Sequence, residues 1–162
     1  LHDTIEDCEP YGSVTEELLK EKFGPAVAEL VNSVTEKDKS LDWHDRKDVA
    51  LKEITQFSHD ALLIKSGDVL SNNTELIADF NRDGEITFER FNASKEETIP
   101  HTLSVIKAIL ESWEDNPLRH DLEVTARILD NILNSESIAA EANKFLAAVR
   151  MIKPDNKNEE NT

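Results

Sequence analysis

The chain has a single cysteine, Cys8, so no intrachain disulfide can form and a reducing cytoplasm is the expected compartment. It has no run of 18 apolar residues, which excludes a transmembrane helix. Positive charge is scarce: 18 Lys and Arg face 34 Asp and Glu, leaving a formal charge of −16. Nothing in such a surface replaces a phosphate counterion atmosphere, which excludes nucleic-acid polymers as partners. Docking on anionic membranes is excluded by the same repulsion. A small anion could still bind, provided that local Lys or Arg or a metal ion receives it. The chain also lacks an initiating Met and any charged-then-hydrophobic leader, and it opens at Leu1. The expectation is therefore a removed N-terminus or a fragment of a longer protein.

Only 4 Gly and 5 Pro punctuate the 162 residues, and 38% of them are hydrophobic, enough to build the core of one domain. Most apolar residues recur at helical spacing. Ser13-Val14-Thr15-Glu16 has a capping-box pattern ahead of Leu18, Leu19 and Phe23. Gly24 can end that helix, and Pro25 can open the next, whose stripe is Ala26, Val27, Leu30, Val31 and Val34. Residues 35–40 read as a polar loop, and Asp42 caps a helix running from Trp43 towards Phe57. Residues 61–73 predict a buried helix, since Leu62, Leu63 and Ile64 are too densely apolar for an exposed one. A turn at Asn81-Arg82-Asp83-Gly84 precedes a helix through Ile99, Leu103, Ile106 and Leu110. Pro117 opens another through Leu122, Leu129 and Leu133, and a last one carries Ile138, Ala142, Phe145, Val149 and Ile152. No segment alternates like a strand, so the fold class is all-α, with 154–162 a disordered polar tail.

Two clusters invite chemistry. At the start, His2 with Glu6 and Asp3 with Asp7 are i, i+4 pairs that crowd three carboxylates and an imidazole onto one helix face. A divalent cation (Mn²⁺, Mg²⁺, Fe²⁺ or Zn²⁺) suits such mixed ligands. His2 and Asp3 could hold the metal while Glu6 and Asp7 handle water and protons. The bland alternative is a solvated helix face: His44, His59 and His120 also precede Asp without such a pattern. The second cluster, 79–90, has Asp79, Asn81, Asp83, Gly84 and Ile86 at EF-hand loop positions, but Arg90 replaces the bidentate Glu. A turn between helices is the expectation there, and a Ca²⁺-responsive helical protein the rival reading. Lys37, Lys39, Arg46 and Lys47 form the densest basic cluster, read mainly as a solvated loop and helix start that could help receive an anionic nucleotide. Cys8 has no identifiable His or redox partner and is expected to be a buried or half-exposed thiol rather than a nucleophile.

The order of several blocks resembles the HD-domain phosphohydrolases, and within them the guanosine tetraphosphate hydrolase branch and its small single-domain members. These blocks are Leu1-His2-Asp3-Thr4-Ile5-Glu6-Asp7, then Phe23-Gly24-Pro25-Ala26-Val27-Ala28-Glu29-Leu30-Val31, then Val34-Thr35-Glu36. Ser40-Leu41-Asp42-Trp43-His44-Asp45-Arg46-Lys47, Ile64-Lys65-Ser66-Gly67-Asp68-Val69-Leu70-Ser71-Asn72 and Arg90-Phe91-Asn92-Ala93-Ser94-Lys95-Glu96-Glu97-Thr98 continue the series, which covers roughly residues 1–113.

The resemblance implies an HD-domain helical bundle over residues 1–153. It implies a divalent metal ion, Mn²⁺ first, held by His2, Asp3 and Asp68, with Glu6 and Asp7 as the catalytic carboxylates and Asn72 near the substrate. The implied substrate is a small anionic nucleotide, guanosine tetra- or pentaphosphate or a related phosphoester, losing its 3′-pyrophosphate. From the residues alone, Asp68 could instead be a solvated or capping residue where Ser66-Gly67 interrupts the helix, and Asn72 a helix C-cap. The branch takes a further metal-binding His and part of its pocket from helices upstream of the HD motif. The expectation is therefore that this domain lacks its N-terminal helices. A polypeptide of this sequence would then be weakly active or inactive, although its full-length parent is an enzyme. The other functional reading is a non-catalytic, HD-derived helical module that binds a nucleotide or a partner. Gly67 stands where the branch usually has Ala, and Ile99-Pro100-His101-Thr102 departs from its aromatic cluster, so no substrate-side role is expected of that segment.

Overall fold

A computed structural model describes residues 4, 5, 8, 10, 13–35 and 41–151, with side chains as far as residue 135. His2, Asp3, Glu6, Asp7, Lys37, Lys39 and the tail 154–162 lie outside the described residues, as do the side chains of the 138–149 stripe. Among the described residues every regular element is helical and none is a strand, so the chain is all-α. No helix among them is long and apolar enough to cross a membrane.

The helix α1 (Glu16–Phe23) begins where the Thr15 side chain accepts the Leu18 N–H at 3.3 Å. Thr15, not Ser13, is therefore the cap. Gly24 adopts φ 85°, a left-handed value, and donates its N–H to the Lys20 carbonyl, while Pro25 opens α2 (Pro25–Val34). These two helices bury Leu19, Ala28 and Val31 in a small cluster that also takes in Ile5, Val14 and Val27. Asp42 caps α3 (Trp43–Ile54) by accepting the Asp45 N–H at 2.9 Å, and that helix stops three residues short of Phe57.

The fourth helix, α4 (His59–Asp83), corrects two expectations. It neither breaks at Ser66-Gly67 nor ends at Asn73, but runs 25 residues to Gly84, whose φ of 68° stops it. The buried Ser66 hydroxyl donates to the Leu62 carbonyl at 2.7 Å, and the Asn73 amide donates to the Val69 carbonyl at 2.7 Å. Both polar side chains are thus satisfied by the helix itself and need no break. The inner face is Leu62, Ser66, Val69, Asn73 and Leu76, while Leu63 and Ile64 are each 39% exposed. The dense apolar run is therefore not wholly buried, because the 3.6-residue period turns its neighbours outward.

A 3₁₀ segment (Gly84–Arg90) leads into α5 (Lys95–Ser112). The last element, α6 (Arg119–Met151), is one helix of 33 residues instead of the two expected. No Gly or Pro lies between residues 119 and 151, so nothing in the chain stops it. The main core joins α3 to α6 around Ile54, Leu62, Ile99, Ile106, Ile109, Leu122 and Leu129, each at most 2% exposed. A buried hydrogen bond from the Asn116 amide to Ser66 Oγ (3.0 Å) ties the α5–α6 link to the middle of α4.

Candidate functional site

Helical spacing places Lys65, Asp68 and Asn72 on one face of α4, at i, i+3 and i+7. The face beside it, Val69, Asn73 and Leu76, is packed inward, so this trio stands at the edge of the core. Asp68 Oδ2 accepts from Lys65 Nζ at 2.9 Å, and Oδ1 accepts from Asn72 Nδ2 at 2.9 Å. The Asp68 side chain is only 16% exposed and that of Lys65 27%. A carboxylate so desolvated is costly unless charge and hydrogen bonds compensate it, and both do.

The trio borders a cavity of about 210 Å³. Its floor is the apolar edge of α4; Thr98, His101 and Thr102 of α5 form one wall, and Lys47 of α3 and Phe91 close it. The charged lining residues among those described are Lys47, Lys65 and Asp68, two cations against one carboxylate. Lys47 and His101 also border two neighbouring recesses. One of about 60 Å³ reaches Ser33 and Thr35 at the end of α2, and one of about 250 Å³ opens towards Trp43 at the start of α3.

In the larger recess, Trp43 meets His44 and His101 edge to face, with ring centroids 4.9 and 5.8 Å apart. Glu97 Oε2 accepts the Ser94 N–H and hydroxyl at 3.0 Å each, and Oε1 lies 3.3 Å from His44 Nε2. The Ser94 backbone N–H first, and its hydroxyl second, hold the Glu97 carboxyl below the usual carboxylate range, with a smaller contribution from His44.

Of the residues singled out in the sequence, Asp68 and Asn72 are brought into direct contact. Asn72 is not a C-cap, since α4 continues to Asp83, and Asp68 does not sit at an interruption. His2, Asp3, Glu6 and Asp7 lie outside the described residues. Cys8 is half-buried. Lys47 is half-buried at the cavity rather than part of a solvated loop, and His101 and Thr102 line the wall where no substrate-side role is expected. Lys65 is the residue that reasoning on the sequence overlooks, although its i−3 offset from Asp68 marks it. No group of three His, Cys, Asp or Glu side chains among the described residues is placed to hold a metal ion. Asp68 alone of the expected ligands is described, and its oxygen donors at the cavity edge suit a hard divalent cation.

The EF-hand-like stretch is no calcium loop. Residues 79–83 are the end of α4 and 84–90 the 3₁₀ segment, and the Asp79 carboxylate is taken by Arg82 (2.8 Å) and Arg90.

No family model matches the chain. Two curated relatives do: the guanosine-3′,5′-bis(diphosphate) 3′-pyrophosphohydrolases MESH1 of Danio rerio and of Drosophila melanogaster. Each is 40% identical to this chain over 76 residues, 47% of its length. The match covers 39% of the first relative and 40% of the second, so the chain spans less than half the length of the curated proteins it matches. Both similarities support the resemblance to the guanosine tetraphosphate hydrolase branch of the HD proteins.

Proposed function

We propose that the protein is a metal-dependent phosphohydrolase of the HD superfamily that removes the 3′-pyrophosphate of guanosine tetra- or pentaphosphate, or cleaves a related nucleotide phosphoester, in the cytoplasm. Residues 1–153 constitute the HD domain in this reading. The observation that carries it is the cavity beside Asp68: a desolvated carboxylate with its amide partner Asn72, flanked by two lysines in an otherwise strongly acidic chain. The names of the two relatives point the same way.

Asp68 would be one metal ligand, with His2 and Asp3 the others. A divalent cation, Mn²⁺ first by the resemblance, when bound supplies Lewis-acid stabilisation of phosphoryl charge and a more acidic water. The Asn72 amide, bonded to Oδ1, fixes the direction of the Asp68 carboxylate, and it would meet the substrate from the same helix face. Lys47 and Lys65 would receive phosphate charge. Glu6 and Asp7 would orient the attacking water and take its proton. A P–O bond then forms from water as the bond to the 3′ oxygen breaks, and that oxygen leaves protonated as the ribose hydroxyl.

The 2.9 Å pairing of Lys65 with Asp68 favours a second reading, because the ammonium already balances the carboxylate as a metal would. A nucleotide-binding module without turnover would look the same. Incubating the full-length gene product with guanosine tetraphosphate and Mn²⁺ separates the two: pyrophosphate release that Asp68→Ala abolishes supports the hydrolase. Saturable nucleotide binding with no release under any divalent cation assigns the module instead.

A further inference from the structure

Each oxygen of Asp68 carries a donor from its own helix, and the two donors differ in charge. On Oδ1 the Asn72 amide is neutral, so it is compatible with a cation on the same carboxylate and steadies its direction. On Oδ2 the Lys65 ammonium is itself a cation, 2.9 Å away. A second cation on that carboxylate would repel it, and strongly so where the two side chains are only 16% and 27% exposed. A divalent ion that takes Asp68 must therefore turn Lys65 out, while Asn72 can remain.

The displaced ammonium has somewhere to go. Lys65 borders the cavity of about 210 Å³ and also the recess of about 60 Å³ beside it. That recess offers oxygens. The Ser33 and Thr35 hydroxyls donate to the Leu30 and Val31 carbonyls at 2.7 Å each and keep lone pairs that can accept, and the Glu53 carboxylate shares the lining. On its flexible stem, Lys65 can thus leave Asp68 without leaving the cavity wall.

Resting on the hydrolase reading of this cavity, we propose that Lys65 is a placeholder cation that couples metal binding to phosphate binding. Without metal the ammonium is held on Asp68, and its charge is neutralised there. Metal binding releases it, and the freed charge meets a phosphate group in the cavity. The metal therefore raises phosphate affinity by more than its own charge supplies, and phosphate raises metal affinity by the same factor.

The test needs no turnover. Free Mn²⁺ is followed by electron paramagnetic resonance as it is titrated into the full-length protein, Lys65→Met and Lys65→Arg, each with and without inorganic phosphate. Lys65→Met has no cation to displace, so it should bind Mn²⁺ about tenfold tighter than the parent, yet lose most of the gain that phosphate brings. Lys65→Arg keeps the charge but grips the carboxylate with a rigid fork, and it should bind Mn²⁺ about tenfold more weakly. A charge that merely sits nearby would make Arg and Lys equivalent, and a purely structural lysine would make both variants weaker. Either pattern overturns the proposal, as does an undiminished phosphate gain in Lys65→Met. If Lys65→Met does not fold, Lys65→Arg against the parent carries the test alone. Pyrophosphate release from guanosine tetraphosphate without the expected pattern sinks this inference and keeps the hydrolase. The pattern without release under any divalent cation keeps the placeholder and sinks the hydrolase.

Discussion

Asp68 and Asp79 lie on the same helix, three turns apart, and both are mostly buried, with side chains 16% and 10% exposed. Their surroundings differ in kind. Asp79 is gripped by the guanidinium groups of Arg82 and Arg90, which fasten the 3₁₀ segment back onto the end of α4. Asp68 is held by a lysine and an amide from its own helix and faces a cavity. Two arginines present rigid forks matched to a carboxylate and leave no place for another cation. A lysine on a flexible stem, unlike a guanidinium fork, can swing away and yield its place. Burial of a carboxylate is therefore not by itself the signature of a site; the exchangeability of its partners is.

The sharpest way to break this comparison is to remove each carboxylate in turn. Asp68→Ala should lower the rate of pyrophosphate release about a thousandfold, or ~4 kcal/mol of barrier, with a small change in melting temperature. Asp79→Ala should do the opposite. It leaves two guanidinium groups without their shared partner and should cost about 2 kcal/mol of stability, less than a fully buried pair because both arginines are largely exposed. Denaturant titration reads that loss, and the specific activity of the folded protein should stay unchanged. If the two variants behave alike, the distinction fails. Asn72→Ala is a finer probe: without the amide on Oδ1, metal affinity or activity should fall about 10- to 100-fold. A loss confined to stability would assign Asn72 a structural role. The smallest effect, of opposite sign, is expected at Gly67. It sits in a helix interior, and a Cβ added there meets nothing within 4 Å. Gly67→Ala should raise stability by about 0.5–1 kcal/mol in a denaturant melt without touching activity.

Where a local rule decides, the sequence announces the structure. The Gly24-Pro25 junction and the Asp42 cap are read directly, because each depends on the chemistry of a few adjacent residues. The capping site at the first helix is off by two, since Thr15 and Ser13 are both competent and only packing chooses. The length of α4 is misjudged because Ser66, Gly67 and Asn73 carry breaker character in isolation. Ser66 and Asn73 return their polar groups to carbonyls four residues back. The unbroken α6 is missed because the change in its apolar stripe resembles an end, while no Gly or Pro enforces one. At the site, Asp68 and Asn72 are legible through the resemblance, whereas Lys65 is overlooked although its i−3 offset from Asp68 marks it. Lys47, Thr98 and His101 come from α3 and α5, and only tertiary packing brings them to the cavity. The basic cluster around Lys47 marks that residue, but no local pattern in the chain marks Thr98 or His101.

Ser66 lies two positions before Asp68 but points the other way, into the core, where it accepts the Asn116 amide. That one bond acts as a rotational stop: α4 cannot turn about its own axis without breaking a contact made fifty residues later in the chain. The angle at which Asp68 and Asn72 meet the cavity is thus set from behind, by the short link that carries Asn116. Loosening that link would change the aim of the site while leaving every residue in it intact.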